Sequence, residues 1–467
     1  MLRRTFLQAA GLGALPLAAP AQQSKRNVVL ILADDLGWSD LGVYGADLHE
    51  TPHLDALAKE SVRFTQAMTA SPVCSPTRAS IMTGKHPARL HITIWLEGAK
   101  KPVANRRLLP AEAIWNLPHS EVTLAERFGG AGYRTASVGK WHLGEAEHYP
   151  ETQGFGTNIG GTLWGAPATF FAPFAGNHRF GGEHRYVPHL EEPKPGEYLT
   201  DRLTDEALRW LDKGAGKPFF LYLAHHSPHT PIEAPADRVA YYKEKLKPGM
   251  HHQNATYAAM VESLDKSVGR VMEAVKKAGQ WDNTVFVFLS DNGGFIGKFD
   301  GQVVTNNHPL RSGKGSLYEG GLRVPLLIHA PGVKPGVCNE PVYSCDLHAT
   351  LVELAGGTVA APEDGRSLLP LLRDPQSRLD RDTLYFHYPH YYETTTPVSC
   401  VRERDWKLLH YFEDGRRELY HLAEDPYEQR DLAASQPERV RAMAAKLEAW
   451  WKQVGAQAPR PNPAFRG

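Results

Sequence analysis

The feature that most constrains this chain is a series of short apolar runs that alternate with helical stretches. The first run, NVVLILA at 27–33, is unbroken and rich in β-branched residues, as expected for a strand buried on both faces of a parallel sheet. Similar runs occur at 133–138, 218–224, 284–289 and 324–329, and helical patterns occur at 121–128, 200–211, 256–278 and 346–354. This alternation predicts an α/β fold in which a mostly parallel mixed sheet is sandwiched between helices.

The last fifth of the chain has a different pattern. After a polar, proline-containing linker at 370–381, strand-like pieces at 383–388, 398–402, 406–412 and 418–421 predict a small antiparallel sheet. A helix is predicted at 437–454. We therefore expect a large α/β domain over residues 22–375 and a smaller C-terminal α+β domain, an antiparallel sheet plus a helix, over residues 376–467.

The segment at 154–195 is rich in glycine, histidine and aromatic residues but has weak periodicity. This composition predicts a long loop inserted in the large domain. Loops of this length usually serve a function or are disordered.

The first 21 residues have the pattern of an export signal. Arg3 and Arg4 precede Phe6 and Leu7, an apolar run follows, and the small residues at 19–21 suit cleavage. The apolar run is too short for a permanent membrane-spanning helix. The arginine pair resembles a twin-arginine signal, and an ordinary secretory signal is the alternative. The sequence thus predicts a periplasmic or secreted protein with no stable membrane insertion.

Charge and cysteine content narrow the possible partners and compartments. Lys+Arg and Asp+Glu number 52 each, so the formal net charge is zero and no basic field would gather nucleic acid. Four cysteines are too few for a disulfide scaffold. In an oxidising compartment Cys338 and Cys345 could pair across a short loop, and two ordinary buried thiols are the alternative.

Acidic residues follow two of the predicted strands. Asp34 and Asp35 come after the first run, and Asp291 and Asn292 come after the run at 284–290. In open α/β sheets, ligands bind beyond the carboxyl ends of the strands. Three carboxylates and an amide oxygen in one place would repel each other unless a cation lay between them, and oxygen ligands suit Ca²⁺ or Mg²⁺ better than zinc. Each pair taken alone is also common in ordinary turns.

A cysteine precedes a predicted helix in the sequence Cys74-Ser75-Pro76-Thr77-Arg78. We expect Ser75 to cap this helix, with Pro76 in its first turn. Cys74 would then lie at a helix N-terminus, which attracts anions, and Arg78 one turn later could bind an oxyanion with its forked guanidinium. A buried cysteine before an ordinary helix is the alternative.

This pentapeptide resembles the Cys-x-Pro-Ser/Thr-Arg signature of the type I, formylglycine-dependent sulfatases of the alkaline phosphatase superfamily. The resemblance continues in the family's order over nearly the whole chain after residue 21. The further matching segments are ADDLG at 33–37, GKWHLG at 139–144, SPHTP at 227–231, SDNGG at 290–294, Lys314, EGGLRVP at 319–325, WKL at 406–408, ELY at 418–420 and DPYE at 425–428.

The resemblance implies a modified nucleophile and a metal ion. A formylglycine-generating maturation enzyme would oxidise Cys74 to formylglycine, whose hydrate attacks the sulfur of a sulfate ester. One Ca²⁺ per chain would be held by Asp34, Asp35, Asp291, Asn292 and the modified Cys74. A sulfated thiol would have no easy exit, whereas a gem-diol keeps a second hydroxyl whose deprotonation expels sulfate by C–O cleavage.

The resemblance also implies roles for five further residues. Arg78 and Lys140 would stabilise the diol alkoxide and the oxyanion. His142 would take the proton that lets sulfate leave. His229 and Lys314 would contact the sulfate and assist departure of the alcohol, with His229 as the proton donor.

The motifs do not define the alcohol part of the ester. Aromatic and histidine side chains at 386–392 and in the 154–195 loop could reach the pocket rim, where they suit carbohydrate rings, or could instead pack the domain interface. In the loop these are Trp164, Phe170, Phe171, His178 and His184. We expect a small or oligomeric sulfated carbohydrate as substrate. A phosphodiester or phosphonate monoester hydrolase of the same superfamily is the alternative, and a catalytically silent carbohydrate-binding protein is a second one.

Overall fold

The computed structural model describes residues 25–101, 105–214, 216–359 and 364–466. The predicted export signal at residues 1–21 lies outside these ranges. None of the helices within them is long and apolar enough to cross a bilayer.

Two sheets organise the described chain. The strands of the large sheet are β1 (Asn27–Ala33), β2 (Val62–Met68), β3 (Arg134–Gly139), β4 (Thr157–Ile159), β5 (Phe219–Ala224), β6 (Thr284–Ser290), β7 (Arg323–His329), β8 (Gly336–Cys338) and β9 (Val342–Tyr343). The strands of the small sheet are β10 (Thr383–Tyr388), β11 (Val398–Glu403), β12 (Trp406–Tyr411) and β13 (Arg417–His421). Two-residue strands also pair at Leu108–Leu109 with Arg460–Pro461, Ala175–Gly176 with Arg185–Tyr186, and Lys298–Phe299 with Gln302–Val303.

The centre of the large sheet is parallel, in the order β6, β1, β5, β3. Val28 of β1 pairs with Val285 of β6 on one side and with Phe220 of β5 on the other. Strand β7 runs antiparallel between β6 and β2. The predicted mostly parallel mixed sheet is therefore confirmed.

Helices cover both faces of the large sheet. The longer helices of the large domain are α1 (Pro52–Lys59), α2 (Cys74–Thr83), α3 (Leu124–Gly130), α4 (Leu199–Asp212), α5 (Ala236–Lys245), α6 (Ala255–Lys277), α7 (Asp346–Leu354) and α8 (Leu369–Arg373), and the shorter ones are Pro87–Leu90, Leu96–Ala99 and Glu319–Leu322. A ninth long helix, α9 (Pro437–Val454), belongs to the small sheet. Alternate residues of β1 face opposite layers, with Val28 and Leu30 in one apolar core and Val29 and Ile31 in the other. This double burial explains why the run at 27–33 has no polar residue in its interior.

A buried ion cluster joins the small antiparallel sheet to the large domain. Lys407 of β12 lies with its Nζ 2.9 Å from Glu319 Oε1 and 2.8 Å from Glu428 Oε1. Glu319 is the first residue of the short helix Glu319–Leu322, which follows the segment that carries Lys314. Moving the Glu319 segment away from the small sheet would leave buried charges without a partner, which costs free energy. The ion cluster therefore holds this segment against the small sheet. Helix α9 packs on the same sheet, where the ring of Trp450 stacks on Tyr385 at 4.8 Å between centroids.

The cysteines and the long loop are also described. All four cysteines are buried free thiols, so Cys338 and Cys345 do not form a disulfide. Cys338 belongs to β8, whereas Cys345 comes directly before α7. The 154–195 segment contains only β4, two short strands and one 3-10 turn between irregular stretches, in keeping with the predicted loop.

Candidate active site

The carboxyl ends of the central strands place the predicted site residues at one edge of the sheet. Asp34, Lys140 and Asp291 are the first residues after β1, β3 and β6. Their backbone N–H groups extend the parallel ladder, since Lys140 donates to the Ala224 carbonyl at 2.7 Å and Asp291 donates to the Ala33 carbonyl at 3.1 Å. Neighbouring strands that end together therefore bring these side chains into contact.

Unusual backbone conformations turn the chain at this edge. Gly139 has a φ of +96°, and a Cβ there would lie 2.0 Å from the Ala224 carbonyl oxygen, so the position requires glycine. Asp35 and His142 have φ values of 64° and 61°. Left-handed conformations at such residues are strained and cluster at functional sites.

Two lysines pair with the first two carboxylates. Lys140 Nζ lies 2.7 Å from Asp34 Oδ2. Lys314 Nζ lies 2.7 Å from Asp35 Oδ1 and 3.6 Å from Cys74 Sγ. All five side chains are at least nine-tenths buried, so the interactions act in a medium of low polarity.

Arg78 pairs with the third carboxylate from the first turns of α2. Its Nε and Nη2 lie 2.9 and 2.8 Å from Asp291 Oδ2, and Nη1 donates to the Lys140 carbonyl at 3.0 Å. The Arg78 side chain is fully buried. Arg78 thus fixes the ends of β3 and β6 relative to the helix that carries Cys74.

The donor set at this edge fits a hard divalent cation. Asp34 Oδ1 and Asn292 Oδ1 are buried and have no hydrogen-bond partner. Asn292 Nδ2 donates to Asp35 Oδ1 at 2.7 Å, so the amide oxygen is free to bind an ion. Ligand atoms of Asp34, Asp35, Cys74 and His229 all lie within 4.8 Å of one another. Carboxylate and amide oxygens are the ligands that Ca²⁺ prefers.

The pKa values of Asp34 and Asp35 are shifted in opposite directions. Burial raises the pKa of Asp34 well above its usual value, although Lys140 opposes this shift. Burial also acts on Asp35, but Lys314 and His229 lower its pKa to about 2. A bound divalent cation would lower the pKa of Asp34 as well, because it favours the charged form of every carboxylate around it.

Cys74 is the first residue of α2, as expected for an anion-attracting position. The predicted capping by Ser75 is wrong: the helix begins one residue before it, and Ser75 Oγ donates to the His142 carbonyl at 2.7 Å. Burial raises the pKa of the Cys74 thiol to about 11, despite Lys140 and Lys314 nearby. The unmodified side chain is therefore a neutral thiol at physiological pH.

Glu97 is a site residue that the sequence did not identify, and no motif marks it. Its Oε2 lies 3.0 Å from His142 Nε2, while Oε1 accepts from the Gly165 N–H at 3.1 Å and lies 3.4 Å from Arg185 Nη2. Burial lowers the pKa of His142 to about 4, with Glu97 opposing. His142 Nδ1 is buried without a hydrogen-bond partner. A carboxylate at Nε2 favours the tautomer with the proton on Nε2 and the lone pair on Nδ1.

His229 lies on the loop after β5. Its Nδ1 is 2.7 Å from the Thr230 carbonyl oxygen, and its Nε2 is 3.6 Å from Asp35 Oδ2. Burial lowers the pKa of His229 to about 3, although Asp35 opposes this shift. The imidazole is therefore neutral, with Nδ1 donating to the carbonyl and a lone pair on Nε2.

A pocket of about 220 Å³ opens above these groups. Its walls are Asp35, Cys74, Trp95, Glu97, Lys101, His142, Gly165, Ala166, Phe180, Arg185, His229, Thr230, Phe295, Lys314 and Tyr392. Most of the aromatic side chains that could have formed a rim do not line this pocket. Of the residues at 386–392, Tyr392 lines this pocket, whereas Phe386 packs between the small sheet and the large domain, in one apolar cluster with Met68 and Leu317. Phe170 of the loop is likewise fully buried in the large core, and Phe180 reaches the pocket instead.

The structure brings all the predicted site residues together. Cys74, His142, His229 and Lys314 line the pocket with Asp35. The remaining five lie directly beneath, linked by the contacts given above: Asp34, Arg78, Lys140, Asp291 and Asn292.

Comparison with known proteins agrees with this arrangement. The sulfatase family profile matches residues 26–357, and the profile described as N-sulphoglucosamine sulphohydrolase, C-terminal, matches residues 312–455. A sulfatase from Formosa agariphila is 33% identical over 94% of this chain and 92% of its own length. Human N-acetylgalactosamine-6-sulfatase is 32% identical over 90% of this chain and 83% of its own. The solved structure of Ps i-CgsB in complex with k-i-k-neocarrahexaose is 32% identical, with a TM-score of 0.77 over 91% of this chain and 92% of that one.

The chain belongs to the sulfatase family, within the type I sulfatases of the alkaline phosphatase superfamily. It is a sulfuric ester hydrolase, and the resemblance drawn from the sequence is confirmed.

Proposed function

We propose that this enzyme hydrolyses sulfate esters of carbohydrates after Cys74 has been converted to formylglycine and one Ca²⁺ has bound. The observation that carries the proposal is the position of Cys74 at the base of the pocket, at a helix N-terminus and 3.6 Å from Lys314 Nζ, beside buried oxygens without partners. The names of two relatives, an N-acetylgalactosamine-6-sulfatase and a neocarrahexaose complex, support a carbohydrate substrate.

Charge balance supports an anionic substrate at this site. The proposed calcium ligands are Asp34, Asp35, Asp291, Asn292 and the modified residue 74. The three carboxylates among them are balanced by three buried cations, so a divalent ion leaves the site with an excess of two positive charges. Bound Ca²⁺ would supply fixed positive charge for a sulfate oxygen. A sulfate ester gains negative charge on oxygen as its S–O bond breaks, which is the charge distribution that this site stabilises best.

The proposed aldehyde explains why a neutral thiol occupies this position in the unmodified chain. As its hydrate it supplies one hydroxyl to attack sulfur and a second through which sulfate is expelled. Lys314 lies close enough to residue 74 to stabilise an oxygen there, and Lys140 and Arg78 hold the carboxylates beneath it. These three cations cannot reorient far, because each is fixed by a buried ion pair.

Two histidines serve proton transfer at different points of the pocket. His142 carries a lone pair on the buried Nδ1 and is held at Nε2 by Glu97, which suits it to accept a proton from the second hydroxyl. His229 Nε2 would donate to the departing alcohol. Since burial keeps His229 neutral, we propose that its protonation follows binding of the anionic ester, whose charge favours the imidazolium.

Replacing Glu97 by glutamine tests whether this carboxylate supports His142 as the base. We expect turnover of 4-nitrophenyl sulfate to fall on the order of 10²-fold, because the carboxylate no longer stabilises the proton that His142 accepts. The first release of alcohol precedes this transfer and should stay fast. Rapid mixing should therefore show a burst of 4-nitrophenol close to one equivalent per chain, followed by slow turnover.

Glu183→Gln is the matched control. Glu183 Oε2 also pairs with Arg185, at 2.8 Å, but Glu183 has no contact with His142 in the described structure. This variant should keep the wild-type rate without a burst. A uniform slowing of E97Q with no burst would show that Glu97 does not act through His142.

A comparison of substrates distinguishes sulfate ester hydrolysis from the alternative reaction, hydrolysis of phosphodiesters or phosphonate monoesters. We expect matured enzyme to hydrolyse 4-nitrophenyl sulfate faster than 4-nitrophenyl phenylphosphonate. A panel of defined sulfated mono- and oligosaccharides should then yield inorganic sulfate from at least one member. A clear preference for the phosphonate, or sulfate release from the aryl ester alone, would contradict the proposed function.

The proposal includes export of the protein and maturation of Cys74 by a second enzyme. The pattern at residues 1–21 supports export to the periplasm or outside the cell. A formylglycine-generating enzyme is the required partner in maturation. If export uses the twin-arginine route, conversion of Cys74 takes place in the cytoplasm, because that route carries folded protein.

A further inference from the structure

A second cluster of potential metal ligands lies outside the active site. It consists of Asp40, His49 and His252, which are 0%, 5% and 3% exposed. Their ligand atoms all lie within 4.8 Å of one another. Asp40 Oδ1 is 3.1 Å from His252 Nε2 and 3.7 Å from His49 Nδ1, and the two imidazole centroids are 4.3 Å apart.

Each of these groups is already oriented by another partner. His252 Nδ1 lies 2.7 Å from Asp47 Oδ1, and His49 Nδ1 lies 3.0 Å from the Asp40 carbonyl oxygen. Asp40 Oδ2 accepts from the Tyr257 hydroxyl at 2.6 Å. Histidines that bind metals usually donate their other ring N–H to a carboxylate or a backbone carbonyl, and metal-binding carboxylates are themselves hydrogen-bonded. His252 Nε2 and Asp40 Oδ1 are thereby left as ligand atoms, and His49 offers a ring nitrogen within 4.8 Å of both.

An unpartnered nitrogen points to an ion in this cluster. His252 Nε2 is buried and makes no well-formed hydrogen bond within the described structure, although Asp40 Oδ1 lies 3.1 Å away. Asp40 Oδ1 accepts one bond, from the Thr305 hydroxyl at 3.2 Å, and keeps a lone pair. Buried polar atoms in native proteins are rarely left without a partner.

Charge balance points the same way. Asp40 is fully buried, and within the described ranges histidines, and no lysine or arginine, form its ion-pair contacts. Burying a carboxylate without a fixed cation is unfavourable. One divalent cation would balance this buried charge.

We propose that Asp40, His49 and His252 bind one Zn²⁺, with a water molecule as the fourth ligand. Two imidazole nitrogens and one carboxylate oxygen suit zinc far better than calcium. The role of the ion is structural. Tyr257 Oη lies 2.6 Å from Asp40 Oδ2 and 3.1 Å from the Asp35 carbonyl oxygen, so zinc fastens the loop carrying the catalytic carboxylates to helix α6.

A neighbouring pair of histidines defines the control. His251 and His308 are exposed and stack with their ring centroids 3.5 Å apart. Such a surface pair can capture zinc without a built site. The double variant H251A/H308A removes it and leaves the buried cluster unchanged.

The test measures zinc binding and does not depend on turnover. Full-length protein in excess Ca²⁺ is freed of transition metals with a chelator selective for zinc over calcium, then titrated with Zn²⁺ against a colorimetric competitor. Elemental analysis gives the stoichiometry. We expect one tightly bound Zn²⁺ per chain in the wild type and in H251A/H308A, and at least tenfold weaker binding in H49A and in H252A.

A measurement without variants covers the case in which H49A or H252A fails to fold. Crystals of the wild type grown with Zn²⁺ should show an anomalous difference peak at the zinc edge between Asp40, His49 and His252. Absence of that peak would overturn the proposal. So would a zinc stoichiometry that disappears in H251A/H308A and persists in H49A and H252A.

Discussion

Alanine at position 74 should lower the turnover of sulfate esters by at least about 10⁴-fold, the scale seen when an enzyme loses its nucleophile. The physical reason is that no neighbouring group can replace residue 74. Lys314, which lies 3.6 Å from its sulfur, is engaged with Asp35. Turnover is measured with 4-nitrophenyl sulfate, and thermal melting checks that the fold is kept.

Cys400→Ala is the matched control for this loss. Cys400 is also a fully buried free thiol, but it lies in β11 of the small sheet. Its truncation should change stability by about 1 kcal/mol and leave turnover intact. Equal losses in C74A and C400A would show that the effect comes from packing and not from the nucleophile.

Removal of divalent cations should lower turnover on the order of 10²-fold or more, and added Ca²⁺ should restore it. Asp34, Asp35 and Asp291 are each paired with a cation, so without the ion the site loses its excess positive charge and its attraction for the anionic ester. The measurement is kcat/KM after dialysis against EGTA, with the metal content determined independently. Mg²⁺ should restore less, because its strict octahedral demand suits this carboxylate-rich set poorly.

The Asn292→Ala variant tests whether the effect of removing divalent cations arises at the proposed Ca²⁺ site. It removes one of the unpartnered buried oxygens, so the Ca²⁺ concentration that gives half-maximal activity should rise several-fold. Full activity in protein shown to be free of divalent metal would contradict the proposed role of the ion.

The fold could be predicted wherever burial leaves a simple pattern in the sequence. The run at 28–33 is apolar throughout because β1 is covered on both faces. Strand β2 was missed, because Arg63, Thr65 and Gln66 interrupt its apolar residues and only one side of the strand is deeply buried. Its place beside β7 depends on tertiary pairing that no local pattern reveals.

The site could be predicted where its residues directly follow parallel strands. Asp34, Lys140 and Asp291 meet because their strands end at the same edge. Glu97 could not be predicted, since it lies on a four-residue helix whose approach to His142 depends on the path of the intervening loops. Ser75 was assigned a local capping role, but a tertiary acceptor, the His142 carbonyl, takes its hydroxyl instead.

The most direct measurement is the mass of the peptide containing residue 74 from purified, active enzyme. We predict that the sulfur atom is absent and that the residue carries an aldehyde, which a hydrazine reagent labels in proportion to the specific activity. Fully active enzyme in which residue 74 still bears its thiol would contradict the proposed nucleophile.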